Sequence, residues 1–205
     1  LSAGQFSSST KMMGQAVFTT GFVDTQDTTA EKNAGSADNK LASEYNFMLM
    51  MHTSFTGKDH LHISLDQGNH DDLVMDSAMD MVMSNVTVSS LYYQFPVGDF
   101  QATAGPLLDQ DDVLSATYSV YSEGFRLTSM PWSQIGTQGA GAAVAWANDS
   151  GFNATFSNIT SEADARDASK GLWAAESTDT TTVALGYDAN QWGGGVIYTA
   201  NDGAN

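Results

Sequence analysis

The stretch Tyr45-Asn46-Phe47-Met48-Leu49-Met50-Met51-His52-Thr53-Ser54-Phe55, the four residues Thr56-Gly57-Lys58-Asp59, and the continuation His60-Leu61-His62-Ile63-Ser64-Leu65-Asp66 decide the fold. Tyr45, Phe47, Leu49, Met51 and Phe55 share one parity, and Asn46, Met48, Met50, His52 and Ser54 share the other. Beyond the four residues, Leu61, Ile63 and Leu65 alternate with His60, His62, Ser64 and Asp66. Successive side chains of a strand point to opposite faces, so this alternation predicts two strands with one apolar and one polar face each. Thr56-Gly57-Lys58-Asp59 is turn chemistry and joins them as a hairpin.

The unit recurs along the chain. Leu91, Tyr93 and Phe95 alternate with Tyr92 and Gln94; Pro96-Val97-Gly98-Asp99 turns the chain; Phe100, Ala102 and Ala104 alternate with Gln101 and Thr103. Ala142, Val144 and Trp146 run into Asn148-Asp149-Ser150, and Phe152, Ala154 and Phe156 run out against Asn153, Thr155 and Ser157. Thr181, Val183, Leu185 and Tyr187 meet a turn near Ala189-Asn190, and Trp192, Val196 and Tyr198 follow. With an opening strand near Lys11 to Phe22, the pattern predicts an all-β, antiparallel, up-and-down chain of about nine strands of ~7–11 residues.

Connection lengths carry the next inference. Within each hairpin the chain turns in a few residues, whereas the segments 24–42, 70–87, 105–138 and 160–179 between hairpins are long. Soluble domains seldom hold several structureless loops of that size. Outer-membrane barrels pair short periplasmic turns with long external loops. Phe55, Phe95, Phe100, Trp146, Phe152, Tyr187 and Trp192 all lie on the apolar parity beside the short turns, where an interfacial aromatic girdle would lie. The competing reading is a β-sandwich with aromatics near its hairpin ends.

Composition narrows the function classes. The chain has 7 Lys+Arg against 24 Asp+Glu, a net charge of −17, so no basic stripe exists to replace phosphate counterions and nucleic-acid binding is excluded. It has no cysteine, which removes disulfides, thiolate metal sites and thiol nucleophiles. No run of 18 apolar residues is present, so no transmembrane helix is expected. No Gly-x-Ser-x-Gly, phosphate loop or His-Glu-x-x-His occurs, and the chain reads as a non-enzyme without a cofactor.

Ser54-Phe55-Thr56-Gly57-Lys58-Asp59, followed by a strand ending Gly68-Asn69, resembles the early hairpin of cyanobacterial outer-membrane porins of the carbohydrate-selective porin superfamily, the iron-uptake type. Leu91-Tyr92-Tyr93-Gln94-Phe95-Pro96-Val97-Gly98-Asp99 is similar to the next hairpin of that family, and Gly139-Ala140-Gly141 entering a strand is similar again. The resemblance is closest over 45–112 and looser over 136–200. It implies a trimeric outer-membrane barrel of about sixteen strands. It also implies a preceding S-layer-homology domain that binds peptidoglycan. Residues 1–205 are then expected to be the N-terminal half of the barrel, lacking that domain and the later strands. Where the family tends to carry Arg after the Gly-Lys-Asp turn, this chain has His60 and His62.

The candidate site follows from the porin reading. The third long loop commonly folds into a porin lumen, and here it carries Asp109, Asp111, Asp112 and Glu123 with Arg126 as its cation. Carboxylates at a constriction lower the entry cost for cations and raise it for anions. His52, His60, His62 and Asp66 share the polar parity of adjacent strands and are expected to line the lumen. The histidines could ligate a transition metal, but polar lining explains them more simply, and no metal site is expected. Met75, Met79 and Met83 have helical spacing and read as a loop's own packing rather than a copper site. The sequons at Asn85, Asn148, Asn153 and Asn158 read as a by-product of Asn, Ser and Thr content. The expected function is passive diffusion of small hydrophilic solutes and ions, cations preferred, across the outer membrane. The alternative is a soluble or surface-attached all-β binding module of lectin or adhesin type.

Overall fold

A computed structural model of the chain describes residues 9–21, 41–69, 82–114, 137–189 and 192–203. They form one sheet of nine strands in sequence order, each antiparallel to the next. The strands are β1 (Thr10–Gly21), β2 (Ala42–Thr53), β3 (His60–Asn69), β4 (Val82–Val97), β5 (Phe100–Leu108), β6 (Gly139–Ala147), β7 (Phe152–Ser161), β8 (Asp179–Asp188) and β9 (Gly193–Asp202). Two four-residue helices follow β5 and β7: α1 (Gln110–Val113) and α2 (Glu162–Ala165). Consecutive antiparallel order puts the turns after β2, β4, β6 and β8 along one edge of the sheet. The strand ends that the longer connections join lie along the other.

The two faces of the sheet differ: one buries mostly polar side chains and the other exposes apolar ones. Ser64, Asp66, Thr103, Thr155, Ser157, Thr180 and Thr182 are buried on one face, Ser157 and Thr182 completely. On the other, Phe18, Val144, Phe156, Val183, Leu185, Val196 and Tyr198 are exposed, Phe18 at 80%. Leu61, Ile63, Leu65, Leu91 and Tyr93 on that face are half-buried by their neighbours in the sheet. Among the described residues no second sheet covers the apolar face. The polar face packs through its own short side chains, for example Gln94 Nε2 donating to Thr103 Oγ1 at 3.0 Å and Thr182 to Thr199 at 3.0 Å.

Several boundaries differ from those read in the sequence. Residues 82–87, expected in a loop, belong to the 16-residue strand β4. The alternation there is broken by a bulge: Ser64 pairs with Ser90 but Leu65 with Val88, so Ser89 is an extra residue. An extra residue moves the outward parity from Val86 and Val88 to Leu91, Tyr93 and Phe95, and a fixed-parity reading loses the strand at that point. Met83 therefore lies in a strand and not in a helix with Met75 and Met79, which fall outside the described residues.

A second bulge extends β5 to Leu108, against the expected loop start at 105. Gly105 pairs with Gly141 but Leu108 with Gly139, a shift of one residue around Pro106, which has no N–H to offer a ladder. A Cβ at position 105 would stand 2.4 Å from the Leu91 carbonyl oxygen, so only Gly fits where β4 and β5 approach there. The shift turns Leu108 to the polar face, where it joins Tyr92, Val113, Ala143 and Ile159 in a small apolar cluster. Leu108 reaches that face through the shift, whereas Ile159 lies on it by the regular alternation of β7. The last long segment, expected to start at 160, keeps Thr160 and Ser161 in β7 before α2.

Candidate functional site

The polar face near the short-turn edge carries a row of four side chains set by register. Lys11 pairs with His52, His52 with His62, and His62 with Tyr92, one residue from each of β1 to β4. His62 Nδ1 lies 3.0 Å from His52 Nε2. One of those nitrogens must carry a proton and the other a lone pair. The His62 ring stacks on Tyr92, with centroids 4.6 Å apart and planes 11° from parallel. The His60 ring stacks on His52 at 5.4 Å. A depression of about 470 Å³ opens beside them, bounded by Ser9, Lys11, His52, Ser54, Phe55, Gly57 and His60. Asp66, also expected in this lining, is 2% exposed further along β3, where Ser64 Oγ donates to it at 3.4 Å.

The chain leaving β5 folds back across the polar face. Gln110 of α1, 1% exposed, donates from Nε2 to Thr182 Oγ1 of β8, 72 positions away. Asp112 Oδ2 accepts from Ser90 Oγ of β4 at 3.0 Å. Val113 joins the Leu108–Ile159 cluster and fastens α1 to the sheet. Of the expected constriction residues, half-buried Asp109 stands at the N-cap of α1, Asp111 lies within α1, and exposed Asp112 reaches β4. Glu123 and Arg126 lie outside the described residues.

The expected girdle residues gather on the apolar face at the short-turn edge. Phe152 packs on Tyr187 at 4.8 Å and Tyr187 on Trp192 at 5.2 Å. Phe55 packs on Tyr93 at 6.2 Å and Tyr93 on Phe95 at 5.5 Å, while Phe100 is the cross-strand partner of Trp146. Tyr93 donates its hydroxyl to Asp59 Oδ2, so the ring lies on the apolar face and its polar tip points to the turn. Asp59 Oδ1 also accepts from Ser54 Oγ, Phe55 N, Thr56 N and Thr56 Oγ1 at 2.6–3.2 Å. These donors, Thr56 and then Tyr93 foremost, hold the Asp59 carboxyl well below the usual carboxylate range. A further aromatic pair, Phe18 and Tyr45, stands cross-strand towards the long-connection edge, where no girdle was expected.

The two cations of the acidic segment between β7 and β8 are each paired with one of its carboxylates. Asp164, 5% exposed, receives Lys170 Nζ at 2.6 Å and Thr178 N at 2.9 Å. The Lys170 ammonium and the Thr178 amide hold its carboxyl well below the usual range, and Asp164 in turn raises Lys170. Ser169 donors lower Asp167. Glu162 pairs with Arg166 at 3.6 Å.

Sequence reasoning brought His52, His60 and His62 together correctly, because the hairpin fixes their register. It gave no role to Lys11, Tyr92, Asp59, Gln110 or Thr182. Tyr92 was legible as an aromatic on the polar parity. The Gln110–Thr182 bond had no local signal. Neither a protein-family model nor a curated protein matches the chain. No helix among the described residues is long and apolar enough to cross a membrane, which says nothing about strands.

Proposed function

We propose that this chain is part of an outer-membrane β-barrel porin, through which small hydrophilic solutes and inorganic ions diffuse, cations preferentially. The observation that carries the reading is the inversion of the faces: the buried side chains of the sheet are mostly polar and the exposed large ones apolar. Exposed apolar surface of that extent is unfavourable in water at about 25 cal/mol per Å², and costs nothing against lipid. Strands paired on both sides satisfy their backbone groups without water, as a spanning element must. The 12 residues of β2 rise about 40 Å along the strand, or about 30 Å across a membrane at a tilt of ~40°. Among the described residues β1 and β9 have one neighbour each. On the family resemblance, further strands of a sixteen-stranded trimeric porin would close the barrel, and a preceding domain would hold peptidoglycan. Cation preference rests on Asp109 at the N-cap of α1 and Asp111 and Asp112 within it, in a segment that α1 seats over the polar face.

The test is reconstitution of the intact protein into planar bilayers. A porin gives ohmic single-channel steps and requires detergent before insertion. A protein that stays monodisperse without detergent and gives no conductance is instead the soluble or surface-attached binding module.

A further inference from the structure

We infer that His52 and His62 form a two-nitrogen site for a tetragonal divalent ion, copper(II) first and nickel(II) more weakly, on the polar face of the sheet. The donor atoms stand 3.0 Å apart on directly opposed residues of β2 and β3. With metal–nitrogen bonds of about 2.0–2.1 Å, that separation subtends about 95° at a shared ion. That is the cis angle of a square-planar or octahedral centre. A tetrahedral zinc ion needs about 109°, and so a nitrogen separation of about 3.3 Å. Imidazole nitrogens in tetragonal geometry select copper(II) and nickel(II), with copper the tighter.

The surroundings fit a weak, exchangeable site. Tyr92 stacks on His62 and fixes the plane of its ring. The rings of His52 and His62 meet edge to face at 76°, and ligation requires His52, the ring that borders the depression, to turn until its lone pair faces the shared ion. In the metal-free pair one ring donates its N–H to the other. On binding, that proton moves to the other nitrogen of the same ring, both rings stay neutral and no proton leaves the pair. No three His, Cys, Asp or Glu side chains among the described residues converge to complete a metal cage, so water or a passing solute fills the remaining positions. The neighbouring depression gives access to His52. Lys11, cross-strand from His52, repels the ion and keeps the affinity modest.

The experiment is copper(II) titration of the intact protein in detergent, followed by electron paramagnetic resonance. The wild type is expected to show superhyperfine coupling to two nitrogens, with nickel(II) displacing copper only in excess. His52→Ala and His62→Ala should each lose one nitrogen coupling. Each should lose at least the tenfold in affinity that removal of even an outer-shell partner costs. His60→Ala should keep the two-nitrogen spectrum. His62→Gln retains a hydrogen-bonding side chain and separates loss of the ligand from loss of the fold, which circular dichroism monitors. A wild-type spectrum without nitrogen coupling, or a two-nitrogen spectrum that survives His62→Gln, overturns the site. The readout is binding and not conductance, so its failure leaves the porin reading standing, and the reverse also holds.

Discussion

The polar face is built differently on its two sides. On β1 to β4 it carries large titratable and aromatic side chains, Lys11, His52, His60, His62 and Tyr92, beside an open depression of about 470 Å³. On β6 to β8 it carries Ala143, Thr155, Ser157, Thr180, Thr182 and Ala184, all buried. Small neutral side chains let the backbone of another segment approach, and there α1 lies down with Gln110 on Thr182 and Val113 in the apolar cluster. Tyr92 borders this seat and shares the cluster with Val113, whereas His52, His60 and His62 lie beyond it beside the depression. The contrast teaches that the returning segment is seated where the side chains of the face are small, and that the depression lies where they are large.

The largest expected effect breaks the seat of α1. Leu108→Ala removes a fully buried side chain from the cluster under α1 and should cost about 2–5 kcal/mol in denaturant unfolding. If α1 narrows the pore, the same variant should also raise single-channel conductance. An unchanged unfolding midpoint would show that the cluster does not fasten α1.

On the other side the histidine row depends on the register of β2 and β3, which the turn 54–59 fixes through Asp59. Asp59→Ala removes the acceptor of Ser54, Phe55, Thr56 and Tyr93 together. Amide exchange at Phe55 and Thr56 should accelerate several-fold, with loss of near-ultraviolet signal from Tyr93. The pH sign follows from the depressed carboxyl, held down mainly by Thr56 and Tyr93. A carboxylate lowered in the folded state stabilises above its unfolded pKa of about 4, and that contribution is lost only as pH falls through the lower folded value. Asp164, lowered chiefly by Lys170, behaves alike. Carboxyl carbon shifts of both residues should therefore titrate below pH 4, and a midpoint at or above 4 would remove the clamp.

A smaller effect concerns selectivity. Changing Asp109, Asp111 and Asp112 together to Asn should at least halve the cation-to-anion permeability ratio read from the reversal potential across a salt gradient. Preference in the wild type should weaken as pH falls towards about 4. It should weaken again at 1 M salt, where the Debye length is ~3 Å. An unchanged reversal potential would leave α1 a steric element only. The smallest effect is expected of Arg166→Ala: the exposed Glu162–Arg166 pair should contribute about 0.3–0.5 kcal/mol, near the limit of measurement.

The sequence by itself determined the strands, their antiparallel order and which parity is apolar. Alternation, turn chemistry and connection length are local properties, and in a hairpin they also fix register, so His52 opposite His62 was readable from ten residues of chain. It did not locate the bulges at Ser89 and Pro106, because one extra residue has no fixed signature and reverses every later side chain. Leu108 on the polar face, and the true length of β4, were lost with them. Only the tertiary structure decided that Gln110 rests on Thr182 and that Asp59 is clamped by Tyr93. Those contacts join residues 72 and 34 positions apart, and depend on how neighbouring strands and a returning segment share one face, which no local pattern encodes.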